Sequence, residues 1–98
     1  MESLWTWGGR CFGYRDGDEL WTQDGRHVGR FYNNEIYGSD GRYLGEIING
    51  RLITNNSKKS WAKSGFMPYA SRVGYIKYVD YVGYVMYAGH EDFPKLEK

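Results

Sequence analysis

Three arginines and a lysine stand sixteen residues apart, at Arg10, Arg26, Arg42 and Lys58. A guanidinium donates in a fixed fork that matches phosphate and carboxylate oxygens. Four cations at one position of a closed repeat would form a ring, a candidate anion-binding site for a phosphate, a nucleotide or a nucleic acid. The plainer reading is that each cation follows a turn and is solvated, bonding the acid just before it, Asp24 or Asp40.

The next position holds Cys11, His27, Tyr43 and Lys59. A cysteine and a histidine at equivalent places invite a metal, or a nucleophile with its base. Two ligands are too few for structural zinc, and Tyr43 and Lys59 read as surface variation, so we expect no metal and no cofactor. Trp5, Trp21, Tyr37 and Ile53 are aromatic in three of four places. They could stack sugars or bases, but a repeated position favours a packed core or a subunit contact. His90, Glu91 and Asp92 adjoin, yet sequence neighbours point different ways and make no catalytic pair. No phosphate loop, zinc signature or nucleophile elbow is present. We therefore expect no enzyme, with an uncharacterised activity using Cys11, His27 or His90 as the remote alternative.

These residues share one sixteen-residue step. Leu4, Leu20, Ile36 and Leu52 align at it, as do Gly9, Gly25 and Gly41 with Ser57. Phe12, Val28 and Leu44 align too, each followed by glycine at 13, 29 and 45; the fourth unit has Trp61 in the glycine place. Asp24-Gly25 and Asp40-Gly41 are hairpin turn signals, because tight two-residue turns need positive φ. Further turn signals fall between units at Asp16-Gly17, Asn33-Asn34 and Asn49-Gly50. Each unit thus reads as a β-hairpin. The units span 4–19, 20–35, 36–51 and 52–67, in an all-β, antiparallel up-and-down meander of about eight strands with four-fold pseudo-symmetry. Leu4, Leu20, Ile36 and Leu52 would face inward, and the glycines at 13, 29 and 45 would lie where neighbouring units crowd together.

Residues 20–29 and 36–45 resemble the units of the four-fold beta flower proteins, a bacterial family. The resemblance covers about residues 4–60, and the segment 69–93, running into Glu91-Asp92-Phe93-Pro94, resembles tails of that family. It implies four hairpins about an axis and supplies no catalytic residue. The aromatic-x-x-Asp-Gly-Arg pattern is also similar to the Tyr-Asp repeats of large secreted toxins, whose arrays are longer and differently spaced.

Residues 68–98 form a tyrosine-rich tail. Tyrosine recurs at 75, 78, 81, 84 and 87, with a β-branched residue at 73, 76, 79, 82 and 85. A period of three matches neither a strand nor an α-helix. A polyproline-type helix would put the tyrosines on one face, but high β propensity favours one or two strands. A Val/Tyr-rich stretch is an aggregation hazard when exposed, so we expect it to dock on the hairpins or to pair with the same tail in a second copy.

Ninety-eight residues make one domain. Thirteen basic against twelve acidic residues give no reason to expect a polyanionic partner from net charge. A single cysteine excludes an internal disulfide framework and fits a reducing compartment. The N-terminus does not look like a signal peptide, and no apolar run approaches the roughly 20 residues that span a bilayer. The function expected is a non-enzymatic interaction or assembly module in the cytoplasm with a protein partner, the arginine ring being the first alternative.

Overall fold

The computed structural model describes residues 1–96 and is all-β. Three hairpins follow one another: β1 (Glu2–Thr6) with β2 (Cys11–Asp16), β3 (Glu19–Thr22) with β4 (His27–Tyr32), and β5 (Glu35–Tyr37) with β6 (Tyr43–Ile48). Gly9, Gly25 and Gly41 turn them at φ of 94°, 86° and 85°, conformations open to glycine and costly for other residues. β7 (Arg51–Asn55) pairs antiparallel with β6 and parallel with β1, through Trp5 opposite Arg51 and Thr6 opposite Leu52. That parallel contact closes a seven-stranded barrel.

The fourth unit does not return as a strand of its own. Residues Asn56–Lys58 form a 3-10 turn, capped by the Asn55 side chain, which accepts from Ser57 N at 3.0 Å. Two sequence features explain this. Ser57 replaces the turn glycine of the other units, and Trp61 replaces the glycine that lets adjoining strands approach. At Gly13 and Gly45 an added Cβ would stand 1.9 Å from Trp21 O and 2.5 Å from Ile53 O. The free half of the β7 edge is taken by β8 (His90–Asp92), antiparallel, with Ile53 opposite Asp92 and Thr54 opposite Glu91.

The barrel interior holds Leu4, Phe12, Leu20, Phe31, Ile36, Leu52 and Phe93, with Val28, Leu44, Ile47 and Leu96 packed around them. Phe93 follows β8 directly and stands edge-on to Phe12, with ring centroids 5.2 Å apart. The C-terminal segment is therefore the plug of the barrel.

Between Ala62, which bridges to Arg42, and β8 the chain forms no strand. The expectation of one or two β-strands in the tail fails here. Instead the tail lies round the outside of the hairpin turns as a strap. Its amides bond to turn carbonyls at steps of three: Lys63 to Gly41 (2.8 Å), Phe66 to Ser39 (2.9 Å), Arg72 to Gly25 (2.8 Å), Tyr75 to Gln23 (2.8 Å), Tyr81 to Gly9 (2.7 Å) and Tyr84 to Trp7 (3.0 Å). Tyr69 N donates to His27 Nδ1 at 3.0 Å. A strand would turn alternate residues outward, whereas three residues per turn keep every third amide on the barrel side, as in a polyproline-type helix.

These bonds disclose a nine-residue step. Residues 63, 72 and 81 meet the repeat-equivalent glycines 41, 25 and 9, so the strap visits the hairpins in reverse order. Gly65, Gly74 and Gly83 share the step and lie against the turns, an added Cβ meeting Ser39 O, Gln23 O or Gly8 O at 2.6, 2.9 and 2.7 Å.

Candidate functional site

The cations at the sixteen-residue step meet different fates. Arg10 Nη2 donates to Phe93 O at 3.1 Å, and its Nη1 lies 3.9 Å from Asp92. Arg26 donates to Leu96 O and pairs with Asp24 at 3.1 Å. Arg42 stays 80 % exposed, 3.7 Å from Asp40. Lys58 sits in the 3-10 turn and bonds Glu35 and Glu46, each at 2.9 Å. The pairing also alters who belongs to the series. Thr6, Thr22 and Gly38 donate their amides to the carbonyls of Arg10, Arg26 and Arg42, and the residue opposite Thr54 is Glu91. An acid thus stands where the sequence step had put Lys58.

Two grooves flank the plug at this mouth. One, of about 300 Å³, includes Arg42, Lys59, Glu91 and Asp92 in its walls; the other, of about 340 Å³, includes Arg26, Asp40 and Leu96. Lys59 pairs with Glu91. Opposite charges alternate round the mouth, and two of the three arginines hold the chain's own C-terminal carbonyls.

Cys11 and His27 lie on β2 and β4 with β3 between them. The Cys11 amide donates to Asp80 Oδ1 at 2.8 Å, and its sulfur accepts from Gln23 Nε2. His27 is a spacer between barrel and strap. Its Nδ1 accepts from the Tyr69 amide, which can only donate, so its proton is on Nε2, 2.6 Å from Glu19 Oε1. Tyr69 and Trp21 stack on its ring, with centroids 5.0 and 5.1 Å away. Among the described residues no three His, Cys, Asp or Glu side chains are grouped to hold a metal ion.

Of the repeat aromatics, Trp21 and Tyr37 are buried on the outer face and Trp5 is half-buried there. Leu20 points inward, so Trp21 beside it points out, yet Trp21 is 1 % exposed because Tyr69 stacks over it and Arg72 lies 3.8 Å from its ring. Trp5 stacks on Tyr81 with centroids 4.0 Å apart and donates Nε1 to Val79 O at 3.0 Å. Tyr37 meets Tyr43 edge-on. These positions form a second packed layer between barrel and strap, outside the core that the sequence step alone would give them.

Within that layer, Glu35 and Glu46 face each other across β5 and β6, a like-charge pair that destabilises unless a cation intervenes. Lys58 supplies it, with Tyr37 and Tyr43 donating to the two acids at 2.9 and 2.8 Å. The Lys58 bond holds Glu35 below the usual carboxylate range, and the Glu35 and Glu46 bonds raise Lys58. Burial, then the neighbouring Glu35, pushes the Tyr37 hydroxyl up to about 12.

Lys58→Met should leave both acids facing each other. A fully buried pair broken in this way costs ~3–5 kcal/mol; these side chains are 14–24 % exposed, so we expect about 2 kcal/mol in urea unfolding. The pH dependence has two limbs. Glu35 is depressed, so its contribution is present above the ordinary carboxylate range and fades as pH falls through its folded value. Lys58 is raised, so its contribution is present below the ordinary lysine range and fades as pH rises through its folded value. The variant's stability profile should be flatter on both limbs. An unchanged urea midpoint at neutral pH would show that the cage contributes nothing.

The row Val73, Ile76, Val79, Val82 and Val85 faces away from all of this, each residue between 79 and 91 % exposed. The alternate tyrosines 75, 78, 81, 84 and 87 are roughly half covered. A groove of about 570 Å³ runs between Trp5, Tyr78 and Tyr81 at the edge of the strap. Among the described residues no helix is long and apolar enough to cross a membrane.

Comparison with known proteins returned no matching family model, no matching curated protein and no matching solved structure.

Proposed function

We propose that the protein is a non-enzymatic interaction module whose contact surface is the outer aliphatic row of the strap. The observation that carries this reading is that five β-branched side chains stand almost fully exposed on a segment bonded to the barrel at every third residue or so. A loose tail would collapse onto itself; this one is held open. Burying a Val or Ile side chain is worth about 1.5–3 kcal/mol, and contiguous exposed apolar surface of this kind marks interaction sites. The row passes from the hairpin of Gly25 to beyond that of Gly9 and therefore curves with the barrel. A second rigid, convex copy meets only part of such a row. The partner that fits is a protein offering an extended apolar segment that follows the curve.

Ile76→Lys with Val82→Lys changes residues 91 and 86 % exposed and should leave the melting temperature within a few degrees, since exposed positions matter by about ±0.5 kcal/mol. The double variant should lose the partner that the wild-type protein retains in a paired affinity capture, and isolated candidates should bind the wild type alone in titration. Partners retained equally by both proteins, with a monomeric wild type in sedimentation, would overturn the proposal.

We further read the chain as four units in a four-fold arrangement similar to the four-fold beta flower proteins, bacterial and cytoplasmic. Matching registers support this: Trp5 opposite Cys11, Trp21 opposite His27, Tyr37 opposite Tyr43 and Ile53 opposite Asp92. In that reading β8 stands for the missing return strand and Phe93 for Phe12, Val28 and Leu44. Nine strap residues reach about 28 Å at polyproline rise, close to a quarter of the way round a body 36 × 34 Å across.

A further inference from the structure

Among the several cations seated against aromatic rings on the outer face, three involve the repeat-equivalent residues 19, 35 and 51. At the first, the Arg30 guanidinium stands 4.4 Å from the Phe66 ring centroid and bonds Glu19 at 3.1 Å. At the next, Lys58 stands 4.9 Å from Trp61 and bonds Glu35 and Glu46. At the last, Arg51 stands 4.0 Å from Tyr84 and donates to Val82 O at 2.8 Å. Residues 19, 35 and 51 are sixteen apart, and Phe66 and Tyr84 are two steps of nine apart.

Both series continue into the first unit, where residue 3 is serine and the strap ring is Tyr75. Ser3 pairs with Tyr14 across β1 and β2, as Glu19 pairs with Arg30. The Tyr75 ring covers the pair, 5.1 Å from Tyr14. Serine and tyrosine do not fill the room that an acid and an arginine fill. A pocket of about 180 Å³ remains, lined by Met1, Ser3, Tyr14, Gln23, Tyr75 and Tyr78, and none of these side chains is cationic.

Its chemistry selects positive charge. The Gln23 Oε1 and Tyr14 hydroxyl oxygens are buried and without hydrogen-bond partners. Arg72 lies beside the Tyr14 hydroxyl, and its charge is held by Asp16 at 2.8 Å. The Gln23 carbonyl oxygen, which only accepts, and the ring faces of the lining tyrosines attract an ammonium group. We propose that this pocket is a cation seat left open by the repeat, and that it binds a small organic ammonium ion. The pocket shares Ser3 and Tyr78 with the groove along Trp5, so the rest of the ligand lies along that groove.

Choline chloride is the probe, and 3,3-dimethylbutan-1-ol, the same shape without the charge, is its control. Choline should give saturable amide shifts at Ser3, Gln23, Tyr75 and Tyr78, and the neutral alcohol should bind about tenfold more weakly. Ser3→Arg would give the first unit its own cation, as Arg51 serves the fourth, and should abolish the choline shifts. Tyr75→Leu removes the ring and should also abolish them, which keeps the test open if the arginine variant does not fold. Silence with choline, equal binding of the alcohol, or choline binding that survives in a folded variant would each overturn the proposal.

Discussion

Phe93→Ala is expected to destabilise the protein by about 3–5 kcal/mol, the range for emptying a buried phenylalanine site. Phe93 is 2 % exposed and packs edge-on against Phe12 inside the barrel. It also lies close to Gly45, where an added Cβ would stand 2.7 Å from its ring, so that part of the wall has no side chain to fill the gap. The loss spreads beyond the cavity. Phe93 anchors the segment whose carbonyls Arg10 and Arg26 hold, and whose preceding strand covers the edge of β7. A domain of this size has total stability on the order of 5–15 kcal/mol, so one substitution removes much of it. Urea unfolding by tryptophan fluorescence reads the change. A shift below about 1 kcal/mol would mean that the barrel is complete without its plug, and that the C-terminal segment is an accessory.

Gly25→Ala should have the next largest effect, about 3 kcal/mol, from two causes that add. Its φ is 86°, a region where a residue with a Cβ pays about 1–3 kcal/mol. The new methyl would also stand 2.0 Å from Arg72 O, which breaks the approach that lets the Arg72 amide bond Gly25 O. The strap must lift there, uncovering Trp21. Gly17 supplies the control, because its φ is also positive, at 61°, and nothing lies within 4 Å of an added Cβ. Gly17→Ala carries the conformational cost alone. Equal losses in the two variants would show that the strap contact adds nothing at Gly25.

The amino-acid sequence by itself determined the hairpins. Asp-Gly pairs favour the positive φ that a tight turn needs, and a sixteen-residue step that places Leu4, Leu20, Ile36 and Leu52 alike directs them to one interior; all four are at most 1 % exposed. Those are local rules, and local rules are legible in one dimension. The glycines at 13, 29 and 45 also carried their meaning openly, because a missing side chain inside a strand has few other uses.

Closure of the barrel was settled only in three dimensions. Which strand completes β7 depends on an excursion of about thirty residues. The sixteen-residue step pointed to 52–67 and to Lys58, whereas hydrogen bonding put β8 there and set Glu91 opposite Thr54. The strap shows the same division. Its triplets were plain, but strand propensity outweighed them, and the nine-residue step of Gly65, Gly74 and Gly83 was present yet had no meaning until the turn carbonyls were placed. A segment without internal hydrogen bonds takes its conformation from the surface it binds. The open pocket beside Ser3 follows the same logic, since a small residue in a strand becomes a vacancy only when its three equivalents are seen to be filled.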